Sequence, residues 1–251
     1  MSDRYEDGSV WTPQQPRATG CLPRKNKPGT VCSLAKDKLE VIPRAEWDSI
    51  LADLPGGCVD FSDRIGEFYD QDGYGSCAME SWHKAVETML RLIHGADVIV
   101  PKFNPWFAYG IAVNWRGGPR VGTSIDENFT LLQKIGCCPE DIWGRSMGPN
   151  KKPSAEAYAA AEKYKPLEGL DCENVDEVGT AILKTRPVVI GWNGHSELLV
   201  GLKPGGIVKV CGSYGSDYYN GSGFHEKHIS DINFGYGAIA LQTAVDLGFS
   251  S

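Results

Sequence analysis

The chain contains no apolar run approaching the ~20 residues that a membrane-spanning helix needs. Its opening Met1-Ser2-Asp3-Arg4 lacks the basic and then apolar pattern of a signal peptide, so the expectation is a protein made and kept in a cytoplasm. There is no basic excess either: the net charge is −7, which argues against a general nucleic-acid binder. None of the eight cysteines forms a Cys-x-x-Cys pair, and with the five histidines they make no zinc spacing. Most of them are expected to be reduced and buried. Cys21 and Cys32, flanking a Pro/Lys/Gly loop, are the one pair suited to a disulfide in an oxidising setting. The glycine-rich stretch 212–223 lacks a P-loop lysine and opens no helix, which excludes a phosphate cradle of that kind. Internal repeats and low-complexity tracts are absent. No metal or organic cofactor is expected.

What is present suits a globular protein. At 251 residues, 41% hydrophobic and 23% charged, the chain can bury one core, as a single domain or as two lobes sharing a cleft. Charge is uneven. Residues 1–44 hold eight Lys/Arg against five Asp/Glu, leaving −10 on residues 45–251. Residues 1–40 carry four prolines, three glycines and no sustained periodicity, and read as an extended arm before a domain spanning 41–251. A basic arm on an acidic body reads first as a solvated tail, and otherwise suits docking in cis or on an acidic partner, such as a neighbouring protein in an assembly.

The most informative stretch is Tyr69-Asp70-Gln71-Asp72-Gly73-Tyr74-Gly75-Ser76-Cys77. From Cys77 the apolar residues Ala78, Trp82, Ala85, Val86, Met89, Leu90 and Ile93 recur at steps of three and four, which predicts a helix ending at His94-Gly95. The opposite face carries Glu80, Lys84, Glu87 and Arg91 and is expected to meet water, with Ser76 as N-cap. A cysteine at a helix N-terminus meets unpaired N–H groups and the macrodipole, both of which favour a thiolate. A glutamine one tight turn upstream has an amide able to donate to an oxyanion forming beside that sulfur.

Further helices are expected at 43–51, with Trp47, Ile50 and Leu51 on one face, and at 104–112, ending before a turn at 116–119. Ser124 and Glu127 predict a capping box for a helix to Ile135, and Asn174 and Glu177 a second one for a helix to Lys184. Between them, Ser154 is the expected cap of a helix with Ala157, Ala160, Ala161 and Tyr164 inward. Then come apolar runs of strand length at 187–192, 197–202, 207–211 and 236–242. Helices first and strands second imply an α+β chain with a cleft between a helical half and a sheet half. Trp192 is expected in the core, or failing that lining the cleft; His83 and His94 at the surface or capping the helix; and His225 and His228 exposed in a loop.

The segment Asp-Gln-x-Gly-x-Gly-Ser-Cys running into a buried helix resembles the nucleophile region of papain-like cysteine peptidases, especially the bacterial and phage branch. Val121-Gly122-Thr123-Ser124-Ile125 and Gly136-Cys137-Cys138-Pro139-Glu140-Asp141-Ile142-Trp143 are similar to a second segment of that branch. Gly194-His195-Ser196-Glu197-Leu198-Leu199-Val200-Gly201 resembles its histidine-bearing strand. The resemblance covers residues 41–245 and implies a two-lobed fold, a helical lobe followed by an antiparallel sheet or barrel lobe. It also implies a thiol hydrolase acting on a peptide or protein substrate, with Cys77 as nucleophile, His195 as base and acid, and Gln71 as oxyanion donor.

One position departs from the pattern. Where the family carries an asparagine that orients the histidine, this chain has Gly212 in Gly212-Ser213-Tyr214-Gly215. Ser213, Asp217 and Asn220 are the nearby side chains that could replace it. The departure keeps two other readings open: a papain-fold structural or binding protein with weak or lost catalysis, such as a phage virion component, and a cell-wall amidase. In that first case the arm is the expected tether and the virion the expected location.

Overall fold

The computed structural model describes residues 20–66, 68–114, 122–192 and 194–244; the first 19 residues of the arm and the expected turn at 116–119 lie outside them. The order is β1 (Ser33–Leu34), α1 (Ala35–Lys38), α2 (Arg44–Ala52), β2 (Val59–Asp60), α3 (Cys77–His94), α4 (Pro105–Val113), α5 (Ile125–Ile135) and α6 (Ala155–Ala161). Then follow β3 (Pro166–Asp171), α7 (Val175–Leu183), β4 (Val188–Trp192), β5 (His195–Lys203), β6 (Ile207–Cys211), α8 (Tyr218–Gly221), β7 (Phe224–His228) and β8 (Ala238–Ala244). The architecture is α+β, with an eight-stranded, mostly antiparallel sheet in the order β1-β3-β8-β4-β5-β6-β7 and β2 paired to β5. Only the short β1–β3 ladder is parallel among the described strands.

Helix α3 has the limits its periodicity predicts, but not the exposure. Every residue from Cys77 to Leu90 is buried, Glu80, Lys84 and Glu87 included. The apolar face packs on β4, β5, β8, α4 and α5. The polar face is covered by the chain at 69–72 and the loop after β6, and its charges find protein partners instead of water. The Tyr69 hydroxyl donates to Glu87 Oε1, Lys84 Nζ donates to the Gly212 carbonyl, and Arg145 lies 3.7 Å from Glu80. His83 is buried too, with Nδ1 2.8 Å from the Met79 carbonyl. Ser76 makes no capping bond; its hydroxyl donates to Glu80 Oε1 at 3.2 Å.

Besides the two-residue β1 and β2, two strands were not apparent as apolar runs. Pro166, Glu168 and Gly169 interrupt the pattern of β3, and β7 is the polar sequence Phe-His-Glu-Lys-His with no buried residue. His225 and His228 are therefore on an edge strand, half-buried, and not in an exposed loop. Capping follows local chemistry more closely. Asn174 accepts from the Glu177 N–H at 3.0 Å and donates back to its carboxylate at 2.7 Å, and Ser154 caps Ala157 N–H at 3.1 Å. Ser124 makes no capping bond to a backbone N–H; its hydroxyl bonds the Glu127 carboxylate at 2.8 Å. All eight cysteines are free, so Cys21 and Cys32 form no bridge.

Candidate active site

Cys77 opens α3 at the end of a tight turn and is fully buried. Backbone N–H groups of Ala78, Gly20 and Ser196 hydrogen-bond to its sulfur. Ala78 belongs to the helix terminus, whereas Ser196 follows His195 on β5, so sheet and helix meet at this atom. Burial still pushes the thiol up, to about 11, against the pull of those three N–H groups. The helix-terminal stabilisation expected from the sequence is thus outweighed by desolvation when the sulfur is covered.

His195 begins β5, after a turn at Gly194. Its ring stacks on Tyr214 with centroids 4.6 Å apart, and the Tyr214 hydroxyl lies 3.3 Å from Nδ1. Nε2 is buried with no hydrogen-bond partner among the described residues, and stands 4.0 Å from Glu197 Oε1. The side chain is 12% exposed. Burial lowers its pKa to about 4, opposed by the charge of Glu197 and reinforced by Lys227, Lys84 and His225. Both shifts favour the uncharged forms, a neutral imidazole and a thiol.

Gln71 is fully buried, and its position is set by pairing of 69–71 with 213–215. Its backbone N–H donates to Ser213 O at 3.1 Å, Gly215 N–H donates to Tyr69 O at 3.0 Å, and Asp70 bridges Tyr214. The Ser213 hydroxyl donates to Gln71 Oε1 at 2.7 Å, which aims the amide, and Nε2 donates to the Tyr74 carbonyl at 2.6 Å. Ser213, a sequence candidate for orienting the histidine, thus bonds to Gln71. Asp217 accepts from Ser216 at 3.2 Å, and the Asn220 side chain is outside the description.

The arm runs through this site. The Gly20 carbonyl accepts from Thr123 N–H at 2.8 Å, Cys21 N–H donates to Gly194 O at 3.0 Å, and Leu22 N–H donates to Thr123 O at 3.1 Å. A Cβ on Gly20 would lie 2.2 Å from the Gly75 carbonyl oxygen, so only glycine permits this approach to the turn before Cys77. Farther along, Arg24 pairs with Asp171 through two bonds of 2.8 and 2.6 Å, and Asp126 accepts from Asn26 N–H at 2.8 Å. Backbone pairing and buried charge both hold residues 20–26 in place, with Gly20 at the sulfur.

The residue that sequence reading missed is Glu197. Its carboxylate is fully buried and gathers the Tyr219 hydroxyl at 2.8 Å, His225 Nε2 at 2.7 Å and Lys227 Nζ at 2.8 Å. Burial alone would raise its pKa, but the His225 hydrogen bond and the charges of His195, His225 and Lys227 bring it down to about 2. The Tyr219 ring stacks on His225 at 4.0 Å and lies over Gly212, where a Cβ would come within 2.4 Å of Tyr219 Cε2. An asparagine at 212 has no room here. Trp192 is buried, with Lys227 Nζ 3.9 Å from its ring centroid. No local sequence signal marks Glu197; a charged residue inside an apolar strand was the only hint.

Among the described residues, no group of three or more His, Cys, Asp or Glu is arranged to hold a metal ion, and no helix is long and apolar enough to cross a membrane. No protein-family model matches the sequence, and a search of curated proteins finds no relative. Solved structures do match. Xylellain, a cysteine protease from Xylella fastidiosa, superposes with a TM-score of 0.67 at 18% identity over 92% of this chain and 99% of that one. Procathepsin L2 from the larval midgut of Tenebrio molitor gives 0.67 at 15% identity over 92% and 80% of the two chains. A recombinant stem bromelain precursor gives 0.58 at 13% identity over 78% and 74%. The chain has the fold of the papain-like cysteine proteases.

Proposed function

We propose that this protein is a thiol hydrolase of peptide bonds in a latent, self-covered state. The observation that carries the reading is the meeting at one sulfur of the α3 terminus and the strand that begins with His195. In the proposed reaction His195 takes the Cys77 proton, and the thiolate adds to a peptide carbonyl carbon. Gln71 Nε2 and the Cys77 N–H receive the oxyanion. The C–N bond then breaks, the amine leaves with the proton from His195, and water hydrolyses the thioester to a free acid. No metal or organic cofactor takes part.

Latency follows from the arm. A thiol near 11 and an imidazole near 4 do not form an ion pair at pH 7, and the arm reaches the sulfur, where the Gly20 N–H is bonded to it. Two of the similar structures are a procathepsin and a precursor, which supports reading the arm as a pro-segment. A second reading, a binding protein on this fold without catalysis, draws on Gly212, which has no side chain to orient an imidazole.

Iodoacetamide labelling of Cys77 separates them. With the thiol near 11, about one molecule in 10⁴ is thiolate at pH 7 in the covered state; at the ordinary 9.0 about one in 10² is. Gly20→Ala drives the arm off the Gly75 backbone and should speed Cys77 labelling by about a hundredfold or more at pH 7, with peptide hydrolysis rising in parallel. Cys77→Ala should abolish both, and Gln71→Ala should cut hydrolysis about 10²–10³-fold while sparing labelling. Fast labelling without hydrolysis of any peptide would favour the binding protein.

A further inference from the structure

Glu197 stands beside His195 on β5, and its surroundings are unusual for a carboxylate on a buried strand. Three side chains from α8 and β7 converge on it: Tyr219, His225 and Lys227. Its Oε1 also stands 4.0 Å from His195 Nε2, the one ring nitrogen of that histidine with no hydrogen-bond partner among the described residues. An opposite charge within ~4–6 Å favours the protonated imidazole. The charged groups acting on His195 are Glu197 on its own strand, Lys227 and His225 on β7, and Lys84 on α3, with the Tyr214 hydroxyl on the ring's other nitrogen. Only Glu197 among them is anionic.

We propose that Glu197 is the positioning residue of His195: its carboxylate, held in place by Tyr219, His225 and Lys227, faces Nε2 and stabilises the imidazolium that forms when the histidine takes the Cys77 proton. Tyr219 does two things in this arrangement. Its ring fills the space over Gly212, and its hydroxyl holds the carboxylate that acts in place of a side chain at 212. The inference rests on the reading of His195 as the base, but the ion-pair coupling is measurable without turnover.

The experiment is a ¹⁵N-histidine titration of the full-length chain by NMR, with the His195 signals assigned by their loss in His195→Ala. Glu197→Gln should lower the His195 midpoint by about one unit or more from its native value. Lys227→Met, which removes a like charge, should raise it. Tyr219→Phe keeps the ring over Gly212 and loosens the carboxylate, so it should move the midpoint less than Glu197→Gln and in the same direction. If Glu197→Gln does not fold, the other two variants carry the titration. A His195 midpoint unchanged in all the folded variants would overturn the proposal.

Kinetics then distinguish its failure from failure of the catalytic reading. In chain activated by displacement of the arm, Glu197→Gln should lower kcat about tenfold with KM unchanged, the equivalent of about one unit of imidazolium stabilisation. A purely structural glutamate would lower the folded fraction without changing kcat per folded molecule, and that result would also count against the proposal. If no Cys77-dependent hydrolysis is found in native or activated chain, the catalytic reading falls and the titration alone decides the coupling.

Discussion

Glu80 on the helix side of the site and Glu197 on the sheet side are both fully buried, yet their carboxyls move in opposite directions. Glu80 rises to about 7, burial outweighing Arg145, Lys84 and the Ser76 hydroxyl, whereas Glu197 falls to about 2. Burial opposes charge at both. The difference is the number of donors at contact distance. Glu197 has three within 2.8 Å; Glu80 has one hydroxyl at 3.2 Å, a guanidinium at 3.7 Å and a buried Oε2 without a partner among the described residues. Glu87, two helical turns along α3, also rises to about 7 despite Tyr69 and Arg91. A buried carboxylate stays charged when hydrogen bonds replace the lost water, and distant cations do not suffice.

The largest test of this contrast is truncation. Glu197→Leu leaves Lys227 and His225 facing an apolar side chain and should cost about 3–5 kcal/mol in urea unfolding at pH 7, as removal of one partner of a buried ion pair does. Glu80→Leu removes a carboxyl that is about half protonated at that pH and should cost less than half as much. Equal losses would break the comparison.

Smaller effects lie in the pH dependence of stability. The folded pKa of Glu197 is depressed below the ordinary 4.5, so its contribution is present above pH 4.5 and is lost as pH falls towards 2, a change of about 3 kcal/mol. His195 and the buried His83, both lowered to about 4, act in the same sense between pH 6.5 and 4, because the unfolded chain binds their protons first. Glu80 and Glu87 have the opposite sign. Their folded pKa values are raised, so their contribution is full below pH 4.5 and is lost as pH rises through 7. Denaturant midpoints should therefore fall on both sides of a maximum near pH 5–6. Glu197→Gln should flatten the limb below pH 4.5, and Glu80→Gln with Glu87→Gln the limb above it. The smallest effect is Tyr219→Phe, which takes one of three donors from Glu197 and should cost about 1 kcal/mol at pH 7.

How much of this was legible in the sequence differs between the two sides. The start of α3, the Asn174–Glu177 reciprocal cap and the four apolar strands follow from neighbouring residues, and the structure contains each. The burial of Glu80, Lys84 and Glu87 did not follow, because periodicity tells which residues share a face and not what covers it. Glu197 was hidden for a related reason. Its partners Tyr219, His225 and Lys227 lie 22, 28 and 30 residues downstream, on a turn and a polar edge strand that composition reads as loop. Residues 20–22 read as unstructured arm because their hydrogen bonds go to Thr123 and Gly194, about 100 and 170 residues away.

The sequence by itself determined that a cysteine stands at the first turn of an amphipathic helix, six residues after a glutamine, since both facts depend only on adjacent residues and helical period. It also set Gly20 and Gly212 where later contacts need the absence of a side chain. Tertiary structure decided the charges. Whether Cys77, His195, Glu80 or Glu197 is ionised depends on which atoms replace water around it, and those atoms come from distant parts of the chain.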